Sequence, residues 1–308
     1  MRILTRRTLL ASLGTITIPL LATQDENYVL RSNATLVVLD VLVESGKGRR
    51  PIRGLRREQF ALYEDGKLQT IKQFAATETP VNIGLVLDMS ASMHRQLSGL
   101  RKAVDTFLEA SNSLDEYFVV GFNDRTRFAL PPAVLFSTSG PQIRAAVEAL
   151  RAEGRTSLYD GTIAALSHST KGGYERRVLV LISDGRDNAS KSNLRDLHDR
   201  VRSTPVTIYT IGLFEPDDAD QNSGVLKQIA HISGGSYSHP SDPQSIETTC
   251  LRIARDIRAR YTLAYTPVES VSQPERVRKL RIAVSDGGHS LSVHSRNEIL
   301  VRYAKRGN

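Results

Sequence analysis

Between positions 81 and 261 the chain alternates apolar runs of strand length with stretches whose apolar residues recur at helical spacing. Strands buried on both faces read as unbroken apolar runs, so this alternation points to a doubly wound, mostly parallel sheet of the α/β class, with helices on both sides. The runs are 81–87, 117–122, 178–182 and 206–211. A helix follows the first, with Leu97, Leu100, Val104, Phe107 and Leu108 on its buried side; residues 142–151, 160–170, 193–202 and 223–232 read as further helices. Residues 126–130 read as a short hairpin strand stopped by Pro131-Pro132. Gly234-Gly235-Ser236-Tyr237 reads as a turn into a short strand. Ile246, Cys250, Ile253 and Ile257 then share one face of a last helix. The chain's one cysteine is thus a core thiol, and no internal disulfide can form. Arg252, Arg255 and Arg258, on the other side of that helix, read as a solvated face.

The flanks have a different period. Residues 35–43 are apolar, and 60–64 with 68–74 bracket Asp65-Gly66, a tight-hairpin signal. Towards the other end Tyr261, Leu263 and Tyr265 alternate with polar residues, as do Leu280, Ile282 and Val284 before Asp286-Gly287, and then Leu291 and Val293. Neither flank can bury a core alone, so the two are expected to pair as a small β-sandwich into which the α/β domain is inserted. The expected division is a leader over 1–23, an N-terminal β-flank over 30–78, the α/β domain over 79–260 and a C-terminal β-flank over 261–303. Residues 266–278, rich in Pro, Ser, Glu and Arg, read as a mobile loop.

Arg6-Arg7 followed by an apolar stretch over 9–21, with Ala22 as a small residue before cleavage, reads as an export leader. The stretch is short for a bilayer span, and Thr5-Arg6-Arg7-Thr8-Leu9-Leu10 resembles a twin-arginine signal. The mature chain is therefore expected to be extracytoplasmic, periplasmic or secreted, with no stable membrane span. The formal charge of +8 includes Arg2, Arg6 and Arg7 of the leader, whose loss leaves +5, and the remaining basic residues are scattered. With no compact basic motif and no Trp, nucleic acid is not an expected partner.

Three short stretches bring oxygen-bearing side chains to the ends of those strands: Asp88-Met89-Ser90-Ala91-Ser92, Thr156 in Gly154-Arg155-Thr156-Ser157-Leu158-Tyr159-Asp160, and Asp184 in Ile182-Ser183-Asp184-Gly185. In an open α/β sheet that rim is where ligands bind. Two carboxylates (Asp88, Asp184) and three hydroxyls (Ser90, Ser92, Thr156) suit a hard dication such as Mg²⁺, or Mn²⁺, which takes roughly six oxygens and keeps some positions for water or a partner. Each piece also has an ordinary explanation as a helix N-cap or a turn; the joint occurrence, in strand context, carries the metal reading.

Asp-x-Ser-x-Ser after the first strand, Thr in a Gly-x-Thr-x-Leu-Tyr-Asp loop and Asp-Gly after a later strand resemble the von Willebrand factor type A domain and its metal-ion-dependent adhesion site, with no position departing from that pattern. The resemblance implies that Ser90, Ser92 and Thr156 offer hydroxyls and that Asp88 and Asp184 contribute directly or through water. Asp160 matches a polar position beside the site. Leu39-Asp40-Val41, Gly54-Leu55, Tyr63-Glu64-Asp65-Gly66, Ser233-Gly234-Gly235 and the segment from Arg260 to Pro267 are similar to the acidobacterial-type group of such proteins.

What the resemblance implies is a non-enzymatic, exported interaction module whose dication binds an Asp or Glu of a protein partner. It also implies that the last helix moves as metal coordination changes. A metal-dependent hydrolase or phosphatase is the competing class, and it needs an activated water with a base or a second metal. No carboxylate or histidine cluster and no P-loop supplies one. His94 alone lies near the motif, and reads as solvent-facing. Similar domains also serve as partners of ATPase assemblies, which the leader argues against.

Overall fold

The computed structural model describes residues 36–46, 49–76, 78–214, 222–267, 275–285 and 291–302. The expected leader, the Asp286-Gly287 turn and most of the expected mobile loop lie outside these. Before the central domain come four strands, β1 (Val37–Ser45), β2 (Phe60–Glu64), β3 (Lys67–Gln69) and β4 (Gln73–Ala75). The central domain runs through β5 (Asn82–Asp88), α1 (Leu97–Ala110), β6 (Glu116–Phe122), β7 (Thr126–Phe128), α2 (Gly140–Glu148), α3 (Leu158–Ser169), β8 (Arg177–Ser183), α4 (Leu194–Ser203), β9 (Thr207–Gly212), α5 (Ser223–Ser233), β10 (Tyr237–Ser238) and α6 (Pro243–Arg258). Four more strands follow, β11 (Tyr261–Tyr265), β12 (Glu275–Val284), β13 (Leu291–His294) and β14 (Glu298–Arg302).

The six-stranded central sheet has the order β10-β9-β8-β5-β6-β7. All its pairings are parallel except β6 with β7. Every residue of β5 and β9 is buried, as unbroken apolar runs in a covered sheet require. The chain leaves β5 towards β6 on one side and later returns to β8 on the other, so β5 and β8 flank a topological switch point. Their register pairs Leu87 with Ile182, which sets the residues that follow, Asp88 and Ser183, side by side at the carboxyl rim. The stripe of α6 is buried as its spacing requires: Ile246, Cys250, Ile253 and Ile257 are each 3 % exposed or less. Burial pushes the Cys250 thiol up to about 12, making it inert.

The flanks do pair with each other. β1 runs antiparallel to β11 with Val41 opposite Tyr261, and β2 runs antiparallel to β12 with Leu62 opposite Ile282. The two resulting sheets, β13-β1-β11-β4 and β14-β12-β2-β3, close over a shared core of Leu39, Val41, Phe60, Leu62, Tyr261, Leu263 and Leu280. The α/β domain is inserted in this sandwich.

Three local readings change. Residues 68–74 do not form one strand: β3 and β4 belong to opposite sheets, and the chain crosses between them at Ile71, whose side chain enters the core. Positions 275–278 belong to β12, held there by β14, so polar composition did not mean loop. Arg258 is not solvated; its Nη2 lies 2.7 Å from Oδ2 of the fully buried Asp115. Arg252 is likewise drawn in, towards Asp256 and Ser238, while Arg255 remains half exposed.

Candidate metal centre

Asp88 ends β5 and is wholly buried. Its Oδ1 accepts the Ser90 backbone N–H at 2.9 Å, which turns the chain off the strand, and its Oδ2 accepts the Ser183 hydroxyl at 2.6 Å. Ser90 precedes a 3₁₀ turn over Ala91–Gln96, yet its hydroxyl does not cap that turn. Instead the Ser90 and Ser92 oxygens lie 3.0 Å apart, and Ser92 Oγ donates to Asp184 Oδ2 at 2.7 Å. One polar chain thus joins the loop after β5 to the loop after β8. Among the described residues Asp88 has no Lys, Arg or His as an ion-pair partner. Burial, with the Asp184 charge nearby, raises its carboxyl to about 6 despite the hydrogen bonds from Ser183 and Ser90.

Thr156 reaches the same rim by backbone bonds. Glu153 N donates to the Met89 carbonyl at 2.9 Å and Ala91 N to the Gly154 carbonyl at 3.1 Å, which lays the Thr156 loop against the first one. Gly154 makes this turn at φ +74, where a side chain would run into the Asp124 carboxylate that holds Arg155. On the other side Thr156 N donates to Asn188 Oδ1 at 2.9 Å, and the Thr156 carbonyl accepts from the backbone of Asn188 and Ala189. The Thr156 hydroxyl takes no part in these bonds.

Asp160, in the first turn of α3, makes no hydrogen bond to the five oxygen side chains. Its carboxylate accepts the backbone N–H of Lys191 at 2.8 Å and of Ser192 at 3.0 Å. Burial raises its carboxyl, but the bonds from Ser192 and Lys191 outweigh that and hold it below the usual range. Asp187 and Ser190 complete the clasp, with Ser190 Oγ donating to Asp187 Oδ1 at 2.6 Å and accepting from Asp160 N at 3.1 Å. Asp160 therefore fixes the 187–192 loop that in turn fixes Thr156.

Sequence reading assigned no role to Ser183, Arg186 or Asn188. Ser183 lay in the quoted motif, and its strand position, level with Asp88, was the available signal. Asp184 Oδ1 accepts the Arg186 N–H at 3.0 Å, and Oδ2 accepts its guanidinium Nε at 2.9 Å and Nη2 at 2.7 Å. His94 is exposed on the 3₁₀ turn. Among the described residues no three His, Cys, Asp or Glu side chains gather as a metal cluster, so any cation here depends on hydroxyls as well as the two carboxylates. The donor set fits a hard dication on two grounds: its atoms are all oxygen, and a buried carboxylate without a counter-ion is costly to keep charged.

A family model described as the von Willebrand factor type A domain matches residues 82–250. The uncharacterized protein YfbK of Escherichia coli (strain K12) is 24 % identical over 191 residues, covering 58 % of this chain and 33 % of that protein. The uncharacterized protein sll0103 of Synechocystis sp. (strain ATCC 27184 / PCC 6803 / Kazusa) is 27 % identical over 167 residues, covering 53 % of this chain and 38 % of that one. The chain thus spans little more than a third of the length of these relatives. Among solved structures, a von Willebrand factor type A protein from Catenulispora acidiphila shares the fold with a TM-score of 0.52 at 14 % identity, over 90 % of this chain and 76 % of that one. Among the described residues no helix is long and apolar enough to cross a membrane.

Proposed function

We propose, from the premise that the chain belongs to the von Willebrand factor type A domain family, that it is an extracytoplasmic, non-enzymatic interaction module whose Mg²⁺ or Mn²⁺ engages an acidic side chain of a protein partner. The observation that carries this reading is Asp88: a carboxylate with no exposed surface, no ion-pair partner among the described residues and two hydroxyl-bearing loops beside it. Ser90, Ser92 and Thr156 would hold the cation together with Asp88 and Asp184, each carboxylate directly or through water. When bound, the dication supplies an electrophilic position open to an anionic oxygen, because three of its five protein donors are neutral.

The chain's own residues do the positioning. Ser183 orients Asp88, Asn188 orients Thr156, and Asp160 anchors the 187–192 loop behind them. Outer partners of this kind commonly change metal affinity by about 10- to 100-fold. The non-enzymatic reading is supported by the donor set: among the described residues no three His, Cys, Asp or Glu side chains gather where a second metal would act. A hydrolase would instead turn over phosphoesters on addition of Mg²⁺ or Mn²⁺. Export is supported by the leader reading of residues 1–23.

Binding to a column of immobilised protein, probed with an extracytoplasmic extract, tests the reading. A partner should be retained in Mg²⁺, released by EDTA and never captured by Asp88→Ala. Equal capture by wild type and Asp88→Ala, or in excess EDTA, would overturn it.

A further inference from the structure

The two buried carboxylates of the rim are treated unequally. Asp88 has no cation among the described residues, whereas Asp184, 3 % exposed, is covered by Arg186 two positions later. Gly185, at φ +79, turns the chain back so that one residue reaches both carboxylate oxygens. The Arg186 backbone N–H holds Oδ1 at 3.0 Å, and the guanidinium holds Oδ2 at 2.9 and 2.7 Å, where Ser92 Oγ also donates at 2.7 Å. Three donors converge on Oδ2, so nothing new can coordinate that oxygen without displacing one of them. Ser92 is itself one of the proposed ligands and can turn its lone pairs towards a cation without leaving. The guanidinium cannot, because it carries only donors and a positive charge. Its side chain is 26 % exposed, so part of the long arm already reaches solvent.

We propose that Arg186 is a built-in competitor for Asp184: its guanidinium serves as counter-ion in the metal-free domain, must leave Oδ2 when a dication, or a water it holds, takes that oxygen, and so holds the site's affinity down. This rests on the dication reading above. The device couples two states. In one, Asp184 is satisfied from within and Asp88 is left without a cation; in the other, a single dication answers both carboxylates and Arg186 projects from the rim. Repulsion between the guanidinium and a dication at contact range keeps the two states exclusive.

Calorimetric titration of Mg²⁺ into the full chain separates this inference from the reading beneath it. Arg186→Ala should bind Mg²⁺ at least tenfold more tightly than wild type, and Arg186→Lys, which keeps the charge but loses the fork, should fall between them. In ¹⁵N-arginine-labelled wild type, the Arg186 Nε–H resonance, identified by its loss in Arg186→Lys, should move over the same Mg²⁺ range. Tight binding by Arg186→Ala with none detectable in wild type would support the competitor most strongly. Wild-type binding with Arg186→Ala within twofold, or weaker, would overturn the inference and leave the metal reading standing. An unmoved Nε–H during calorimetric binding would do the same. No binding by either protein would remove both.

Discussion

At the end of the central sheet where strands begin, buried arginines meet fixed acceptors. Arg260 Nε donates to Tyr209 Oη at 2.9 Å, its Nη2 to the Gly234 carbonyl at 2.8 Å and its Nη1 to the Asp40 carbonyl at 3.2 Å. Arg296 donates to the carbonyls of Arg202, Thr204 and Val206, and burial lowers its guanidinium to about 10 without threatening its charge at neutral pH. Arg176 reaches the Ile257 carbonyl at 2.8 Å and lies 3.5 Å from Asp40. At the end where strands finish, Asp88 is as deeply buried and meets hydrogen-bond donors only. The first end ties the inserted domain to its sandwich through cations that meet an acidic group or several carbonyls, although Arg176 Nε and Nη1 are buried without a hydrogen-bond partner. The second holds a buried carboxylate that accepts two hydrogen bonds but meets no cation among the described residues, which is the difference on which the proposed metal site rests.

Removing a junction arginine should give the largest effect. Arg260→Ala leaves Tyr209 Oη and two carbonyls without their donor, and should cost about 3–4 kcal/mol in urea unfolding. Its Mg²⁺ affinity should be unchanged; a parallel loss of metal binding would erase the distinction between the two ends.

At the other end the sign reverses. With Asp88 raised from 3.8 to about 6, the folded state in EDTA holds a proton that the unfolded state has lost. The Asp88 contribution is therefore fully favourable below about pH 4 and is lost as pH rises through about 6. At neutral pH in EDTA, Asp88→Asn should be more stable than wild type by about 2–3 kcal/mol, at one pKa unit per 1.36 kcal/mol. The two curves should converge at acidic pH. An Asn variant that is less stable at pH 7 would mean that Asp88 is as well answered as Arg260.

The smallest effect belongs to the clasp. Asp160→Asn keeps an acceptor for one of the two backbone N–H groups it now holds and should weaken Mg²⁺ binding about tenfold, with folding stability changed by about 1 kcal/mol or less. Loss of binding beyond a thousandfold would place Asp160 among the ligands instead.

Much of this rim was legible because its determinants are local. An apolar run ending in Asp88 or Asp184 announces a strand end, and parallel neighbours bring strand ends together. The pairing of the flanks was also legible, since period-two runs such as Leu280, Ile282 and Val284 require a second sheet. The crossing at Ile71 was not, because no Gly or Pro marks it and an apolar residue reads alike in a strand or a crossover. Arg258 was misread because a charged residue looks solvated until the fold supplies a buried carboxylate, here Asp115, from far along the chain; Arg186 lies only two positions from Asp184, and what the sequence did not show is the turn at Gly185 that folds it back. Asp160 was expected beside the site, and the atoms it holds are backbone N–H groups, which sequence patterns do not distinguish.

Equilibrium urea unfolding across a Mg²⁺ series, at constant ionic strength, bears most directly on whether a dication completes this rim. Wild-type stability should climb by about 1.4 kcal/mol for every tenfold increase in Mg²⁺ above its dissociation constant, and Asp88→Asn should show no such slope. A wild-type protein equally stable in EDTA and throughout the series would contradict the account.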